Sequence, residues 1–136
     1  MAESVASLLR RSLGHLAAEV PESYRRLLAE LGPLVVQMEV DGEVFSMRRG
    51  TGIDVTDGVD DAAGARVATS RAAIIDVLDA EVSLSEGVES DRVVVRGSLD
   101  DIVRAHDALL AYAHAAVRAR SIPGLVTALR EGVDGG

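Results

Sequence analysis

The sequence of 136 residues contains no cysteine, no lysine and no asparagine. Without cysteine the chain forms no disulfide, carries out no thiolate catalysis and offers no sulfur ligand to a metal. Without lysine it cannot form a Schiff base with a substrate, and it lacks the lysine of phosphate-binding loops. These absences exclude several enzyme classes before any motif is considered.

Aromatic residues are also scarce, since they make up 2% of a chain that is 48% hydrophobic. The core must therefore consist of valine, leucine, isoleucine and alanine. The formal net charge is −8, and arginines never cluster beyond a pair, so we expect no nucleic-acid partner. No apolar run approaches the roughly 18–20 residues of a membrane span, so integral membrane association is not expected either.

The N-terminal segment has an acidic residue before its arginines, the reverse of a secretion signal, which predicts a cytoplasmic protein. The absence of lysine and the excess of alanine, valine, arginine and glycine suit a GC-rich bacterial genome.

The first third of the chain predicts two helices and a hairpin. Apolar residues at helical spacing predict a helix over residues 2–19, and a second helix follows Pro21 and ends at Gly32. From residue 34 the apolar residues alternate, and Asp41-Gly42 is a strong signal for a two-residue turn. That turn places Met38 opposite Phe45.

The remaining elements are shorter and alternate in type. We expect strands near residues 52–56, 65–69 and 92–96, helices from 70, from 98 to about 119 and after 124, an ambiguous stretch at 80–90, and a frayed tail at 133–136. Helices, then a hairpin-based sheet, then helices indicate an α+β fold rather than a doubly wound parallel sheet.

His106 is the most interesting polar residue, because it falls on the apolar stripe of the long helix. It could contribute to a ligand groove, or it could be a core histidine satisfied by a backbone carbonyl. His114 lies too far around the helix to share a metal with it, and His15 has no evident partner. The acidic segment 54–61 lacks calcium-loop spacing. We therefore expect no metal and no cofactor.

Small residues on the long helix allow two interpretations. Ala105, Ala108, Ala113 and Ala116 lie on or near its apolar face. They could let the helix pack tightly on the sheet, as the normal filling of protein interiors favours, or they could leave an apolar trough beneath it.

Two stretches of the second half resemble the sterol carrier protein 2-like domain family. They are ARVATSRAAIIDVLD (65–79) and DRVVVRGSLDDIVRAHDALL (91–110), and the resemblance covers residues 34–131. Gly97 matches the glycine of a strand-to-helix turn and Ser98 the cap of the following helix. Asp91 stands where the family often has glycine.

The length of the chain and the lack of an apparent linker or repeat predict a single domain over residues 1–136. The resemblance implies that this domain has a helical extension at 1–32 and an α+β core at 33–131. It also implies an antiparallel sheet of about five strands, covered by helices, with an apolar groove that takes a lipid, sterol or acyl chain. By position, the predicted ligand-binding residues are Val93, Val95, Ile102, His106, Leu109, Leu110, Ile122, Leu125 and Leu129.

Two other functions stay open. The same fold could have a filled core and act as a structural or regulatory protein, with the leucine stripe of the N-terminal helix as the contact surface of a homodimer. It could also be a small enzyme that uses His106 as acid or base, although no catalytic motif supports this. We expect a non-catalytic binding protein.

Overall fold

The computed structural model of this chain describes residues 2–134. It contains six helices and five strands: α1 (Val5–Glu19), α2 (Pro21–Leu31), β1 (Val36–Val40), β2 (Glu43–Arg49), β3 (Ile53–Asp57), β4 (Ala65–Thr69), α3 (Arg71–Leu78), α4 (Leu84–Glu89), β5 (Val94–Gly97), α5 (Leu99–Ala116) and α6 (Ile122–Asp134). Helix α6 includes the first two residues of the tail predicted to fray, and the last two lie outside the described residues.

Local sequence explains where the helices begin and end. The side chain of Ser4 caps α1, Pro21 occupies the first turn of α2, and Gly32, at φ 53°, ends α2 in a conformation that costs glycine little. Ser83 and Glu86 form a reciprocal capping box for α4. The ambiguous stretch 80–90 is therefore helical over six of its residues.

The predicted hairpin is confirmed in its turn and in its register. Asp41 and Gly42 both have positive φ (50° and 87°), as a two-residue hairpin turn of type I′ requires. Met38 pairs with Phe45 and Val36 with Met47. These four side chains all face the helices.

The sheet has the strand order β3-β2-β1-β4-β5. Three of its strand pairs are antiparallel, but β1 and β4 are parallel, with Val36 beside Ala65 and Val40 beside Thr69. The prediction of an antiparallel sheet is therefore wrong at this pair. After β3, residues 58–64 cross over β2 and β1. Strand β4 then runs in the same direction as β1.

Gly97 explains the turn from β5 into α5. Its φ is 148°, and a Cβ at this position would lie 2.5 Å from the carbonyl oxygen of Gly64. Ser98 then caps α5 by accepting a hydrogen bond from the backbone N–H of Asp101 (3.2 Å). Asp91 has φ 61°, so it adopts the backbone conformation for which glycine is favoured.

The core lies on one side of the sheet. Val36, Met38 and Val40 of β1 are buried beneath the helices, whereas Glu39 and Arg66 on the other side are exposed. The two N-terminal helices contribute to the same core, since Leu16 and Leu31 are 0% and 1% exposed. Glu43 also fixes the start of α1 by accepting hydrogen bonds from the N–H groups of Val5 and Ala6, both at 2.9 Å.

Candidate ligand cavity

An apolar cavity of about 170 Å³ lies between the sheet and the helices. Six helices, four strands and Val93 line it: Val5, Leu8, Leu9, Ser12, Leu13, Leu27, Leu31, Val36, Met38, Val40, Phe45, Met47, Ile53, Val67, Thr69, Ala73, Ile74, Val77, Leu78, Leu84, Val93, Ala105, Ala108, Leu109, Tyr112, Ala113, Ile122, Leu125, Val126 and Leu129.

The alanines of α5 help to create the space. Ala105 and Ala108 line the cavity and are nearly fully buried. Successive residues rotate by about 100° around a helix, so the bulkier His106 and Leu110 lie further around it than these alanines, and neither lines the cavity. The alanines share the inner face with the larger Leu109 and Tyr112, and their short side chains leave a trough under the helix. The trough interpretation of the alanines is thus the one that the geometry favours.

Polar groups in the lining are few and already paired. Among the lining residues described, Ser12, Thr69 and Tyr112 have hydroxyl groups, and none has a charged side chain. The Tyr112 hydroxyl donates to Ser12 Oγ (2.7 Å), which in turn donates to the carbonyl of Leu9 (2.8 Å). Thr69 donates to the carbonyl of Arg92 (2.8 Å). The cavity can therefore bind by apolar contact, but it presents no buried charge to a ligand.

Tyr112 stays neutral in this environment. Burial raises the pKa of its hydroxyl, and the hydrogen bond to Ser12 lowers that pKa by a smaller amount. The group is therefore a hydrogen-bonding phenol at neutral pH rather than an anion. It tethers α5 to α1 across the cavity wall.

Five of the nine predicted ligand-binding residues line this cavity: Val93, Leu109, Ile122, Leu125 and Leu129. The other four, Val95, Ile102, His106 and Leu110, are outside its lining. Val95 pairs with the lining residue Val67 but belongs to the edge strand β5, which contributes no lining residue. The other three lie on the side or outer face of α5.

His106 has no partner within the cavity wall. Its side chain is 31% exposed, and its Nδ1 atom lies 3.9 Å from Asp107 Oδ1. His15 lies 3.3 Å from Glu19, and His114 is exposed. Across residues 2–134, histidine and acidic side chains form no group of three that could hold a metal ion. Within the same range, no helix has the length and apolar character needed to cross a bilayer.

Sequence reasoning missed the share of the lining that comes from the first two helices. Leu8, Leu9, Leu13, Leu27 and Leu31 all contact the cavity. Their signal was visible, because leucines at helical spacing run through both helices. The leucine stripe of α1 is not free to form a homodimer contact, because Leu8, Leu13 and Leu16 are at most 5% exposed.

No protein-family model and no curated protein matches the sequence. Solved structures do match it in fold. A structure titled UbiJ-SCP2 ubiquinone synthesis protein is 17% identical, with a TM-score of 0.57 over 79% of this chain and 92% of that one. The sterol carrier protein domain 2 of Helicoverpa armigera is 10% identical, with a TM-score of 0.59 over 84% and 95%. The apo sterol carrier protein 2 of Yarrowia lipolytica is 10% identical, with a TM-score of 0.53 over 82% and 88%.

Proposed function

We propose that this chain, which has the sterol carrier protein 2-like fold, binds an apolar small molecule in the cavity between its sheet and helices. The observation that carries the proposal is the lining, in which every side chain is uncharged and three have hydroxyl groups. The names of the structures that share the fold point in the same direction, because several are sterol carrier proteins.

The size of the cavity restricts the ligand. An apolar cavity of about 150 Å³ in another protein holds a benzene molecule, whereas sites for drug-sized ligands occupy about 300–1,000 Å³. At about 170 Å³, the present cavity is close in volume to the cavity that holds benzene. It suits one segment of a hydrocarbon chain, or it must widen when a larger lipid enters. Its flexible leucine and methionine side chains permit such widening.

The energetics of binding come from burial. Ten methylene groups transferred from water would contribute about 8 kcal/mol before the cost of association is subtracted. Because the lining contains no charge, an ionised head group would lose its hydration without gaining a partner. The ligand is therefore neutral, or it keeps its polar end outside the cavity.

A direct experiment extracts the purified protein with organic solvent and identifies released lipids by mass spectrometry. A fluorescent fatty-acid analogue then measures binding to the delipidated protein. The Ala108→Leu substitution adds an isobutyl group in place of a methyl group within the cavity, and we expect it to weaken probe binding at least about tenfold, or by 1.4 kcal/mol.

The matched control is Ala72→Leu, which makes the same change at an exposed position of α3. It should leave probe affinity unchanged. If the wild-type protein releases no lipid and binds no probe, or if both leucine variants behave alike, the proposal is wrong.

The enzyme hypothesis loses its main support, because it required His106 in the groove and His106 does not line the cavity. The filled-core hypothesis also conflicts with the free volume under α5. We further propose that the protein acts as a single domain with α1 and α2 as part of the ligand-binding unit, since both helices line the cavity.

A further inference from the structure

One side of α5 carries a regular repeat, and only Ala113 of that repeat also lines the cavity. Alternating steps of four and three residues connect the six positions of this seam: Leu99, Val103, His106, Leu110, Ala113 and Val117. Five of the six are apolar. This is the spacing by which two α-helices pair in a coiled coil. We call these six residues the α5 seam.

The seam is open to solvent at three of its large apolar positions. Leu99, Val103 and Val117 are 77%, 52% and 64% exposed. No element within residues 2–134 covers these side chains. A single exposed apolar residue would need no explanation. These three lie along one helix face, and a contiguous apolar stripe is typical of an interaction surface.

Charges beside the seam divide by sign along the helix. Asp100 and Asp107 border its first half, and Arg118 borders its second half on the same side. All three residues are exposed. A second helix with the same sequence matches this pattern when it runs antiparallel, because Asp100 of one copy then approaches Arg118 of the other.

We propose that the α5 seam is a docking surface for a second copy of this chain, in an antiparallel helix pair. Leu99 then packs on Val117 of the second copy, Val103 on Ala113 and His106 on Leu110. The pair is related by two-fold symmetry, so each contact occurs twice. One helix from each copy gives an interface smaller than the standard size, so the dimer is weak and depends on concentration.

A membrane surface is the less favoured occupant. The chain has a net charge of −8, and two aspartates border the seam. Anionic lipid would repel both. The proposed pair shares only Ala113 with the cavity, and the other four α5 residues that line the cavity lie outside the seam.

The first test is a concentration series of the full chain in analytical ultracentrifugation. We expect reversible dimer formation by the wild-type protein, and a loss of at least about tenfold in association constant in Val103→Glu, which buries a charge in the seam. Val59→Glu is the control, because Val59 is 68% exposed but lies in the loop after β3. A wild-type protein that stays monomeric throughout, or a Val103→Glu dimer as stable as that of Val59→Glu, would overturn the proposal.

The second test addresses orientation. Asp100→Arg alone should weaken the dimer, because it brings two positive side chains together. Adding Arg118→Asp should restore the wild-type association constant in an antiparallel pair. A double variant that remains as weak as the single one contradicts this orientation. If wild-type protein binds vesicles of anionic phospholipid and Val103→Glu does not, the α5 seam docks on a membrane. The proposal that it docks on a second copy of the chain would then be wrong.

Discussion

At the scale of single residues, Arg71 holds three distant parts of the chain together. Its side chain is buried (9% exposed) and donates hydrogen bonds to the carbonyls of Leu129 (3.2 Å) and Glu3 (2.7 Å). Its backbone N–H donates to Asp41 Oδ2 (3.0 Å) in the hairpin turn. A buried guanidinium that loses such partners costs several kcal/mol, so its position is strongly determined.

The fixed position of Arg71 makes a glycine in α6 necessary. A Cβ at Gly132 would overlap the Arg71 guanidinium, whereas a Cβ at Gly14, on the exposed face of α1, would contact nothing. We expect Gly132→Ala to lower the free energy of unfolding by about 1–3 kcal/mol through overpacking. Gly14→Ala should raise it by about 0.5–1 kcal/mol, because alanine favours the helix. Urea unfolding measures both, and equal stabilisation by the two would show that Arg71 moves freely.

At the scale of secondary-structure elements, Glu19 joins the end of α1 to the start of α6. Its carboxylate accepts hydrogen bonds from the Ser121 hydroxyl and from the Ser121 N–H (3.0 Å). The Ser121 hydroxyl is the main cause that lowers the pKa of Glu19 below its usual value of 4.5. A lowered pKa in the folded state means that ionised Glu19 stabilises the fold above pH 4.5.

This link predicts a pH dependence with a defined sign. As the pH falls below 4.5, the unfolded chain takes up a proton at Glu19 before the folded chain does, so the free energy of unfolding decreases. The difference in stability between wild type and Glu19→Gln should therefore shrink as the pH falls from 6 toward 3, in the range below the ordinary glutamate pKa. Glu131→Gln, at an exposed position of α6, is the control and should show no comparable change. A constant difference between wild type and Glu19→Gln would refute the link.

Most elements could be predicted because local chemistry determines them. Asp41-Gly42 sets the hairpin, and Ser98 and Gly97 set the start of α5. The direction of β4 could not be predicted in the same way. Alternation of buried and exposed residues is identical in parallel and antiparallel strands, so Val67 gives no information about its neighbour. The path of residues 58–64 decides the direction of β4, and that path depends on the whole sheet.

The inner face of α5 could not be identified from the sequence for a related reason. A pattern of apolar residues predicts that the positions along it are buried, so it places His106 on the inner stripe. In the structure, Ala105 and Ala108 form the inner face together with Leu109 and Tyr112. The short alanine side chains leave free volume beneath the helix, and a pattern of hydrophobicity alone does not reveal that volume. The bulky stripe remains outside, where it forms the α5 seam.

At the scale of the whole molecule, the cavity depends on every layer of the fold. Six helices and four strands contribute lining residues, so no single segment of the sequence contains the site. The predicted ligand-binding residues that line the cavity, such as Val93 and Leu125, come from the part of the chain covered by the family resemblance. The leucines of α1 and α2 lay outside that part. Because lining residues come from every layer of the fold, we expect a bound ligand to stabilise the whole domain.

This stabilisation predicts the effect of removing the ligand. A ligand present at about 100 times its dissociation constant adds about 2.7 kcal/mol to the free energy of unfolding, which corresponds to a rise of roughly 10 °C in Tm for a domain of this size. We expect delipidated protein to show this loss in Tm in differential scanning calorimetry and to regain it when a fatty acid is added. Ala108→Leu should reduce the regain, because the substitution occupies part of the ligand's volume, while Ala72→Leu should regain stability fully. Equal Tm values with and without ligand in the wild-type protein would mean that the ligand does not occupy the folded interior.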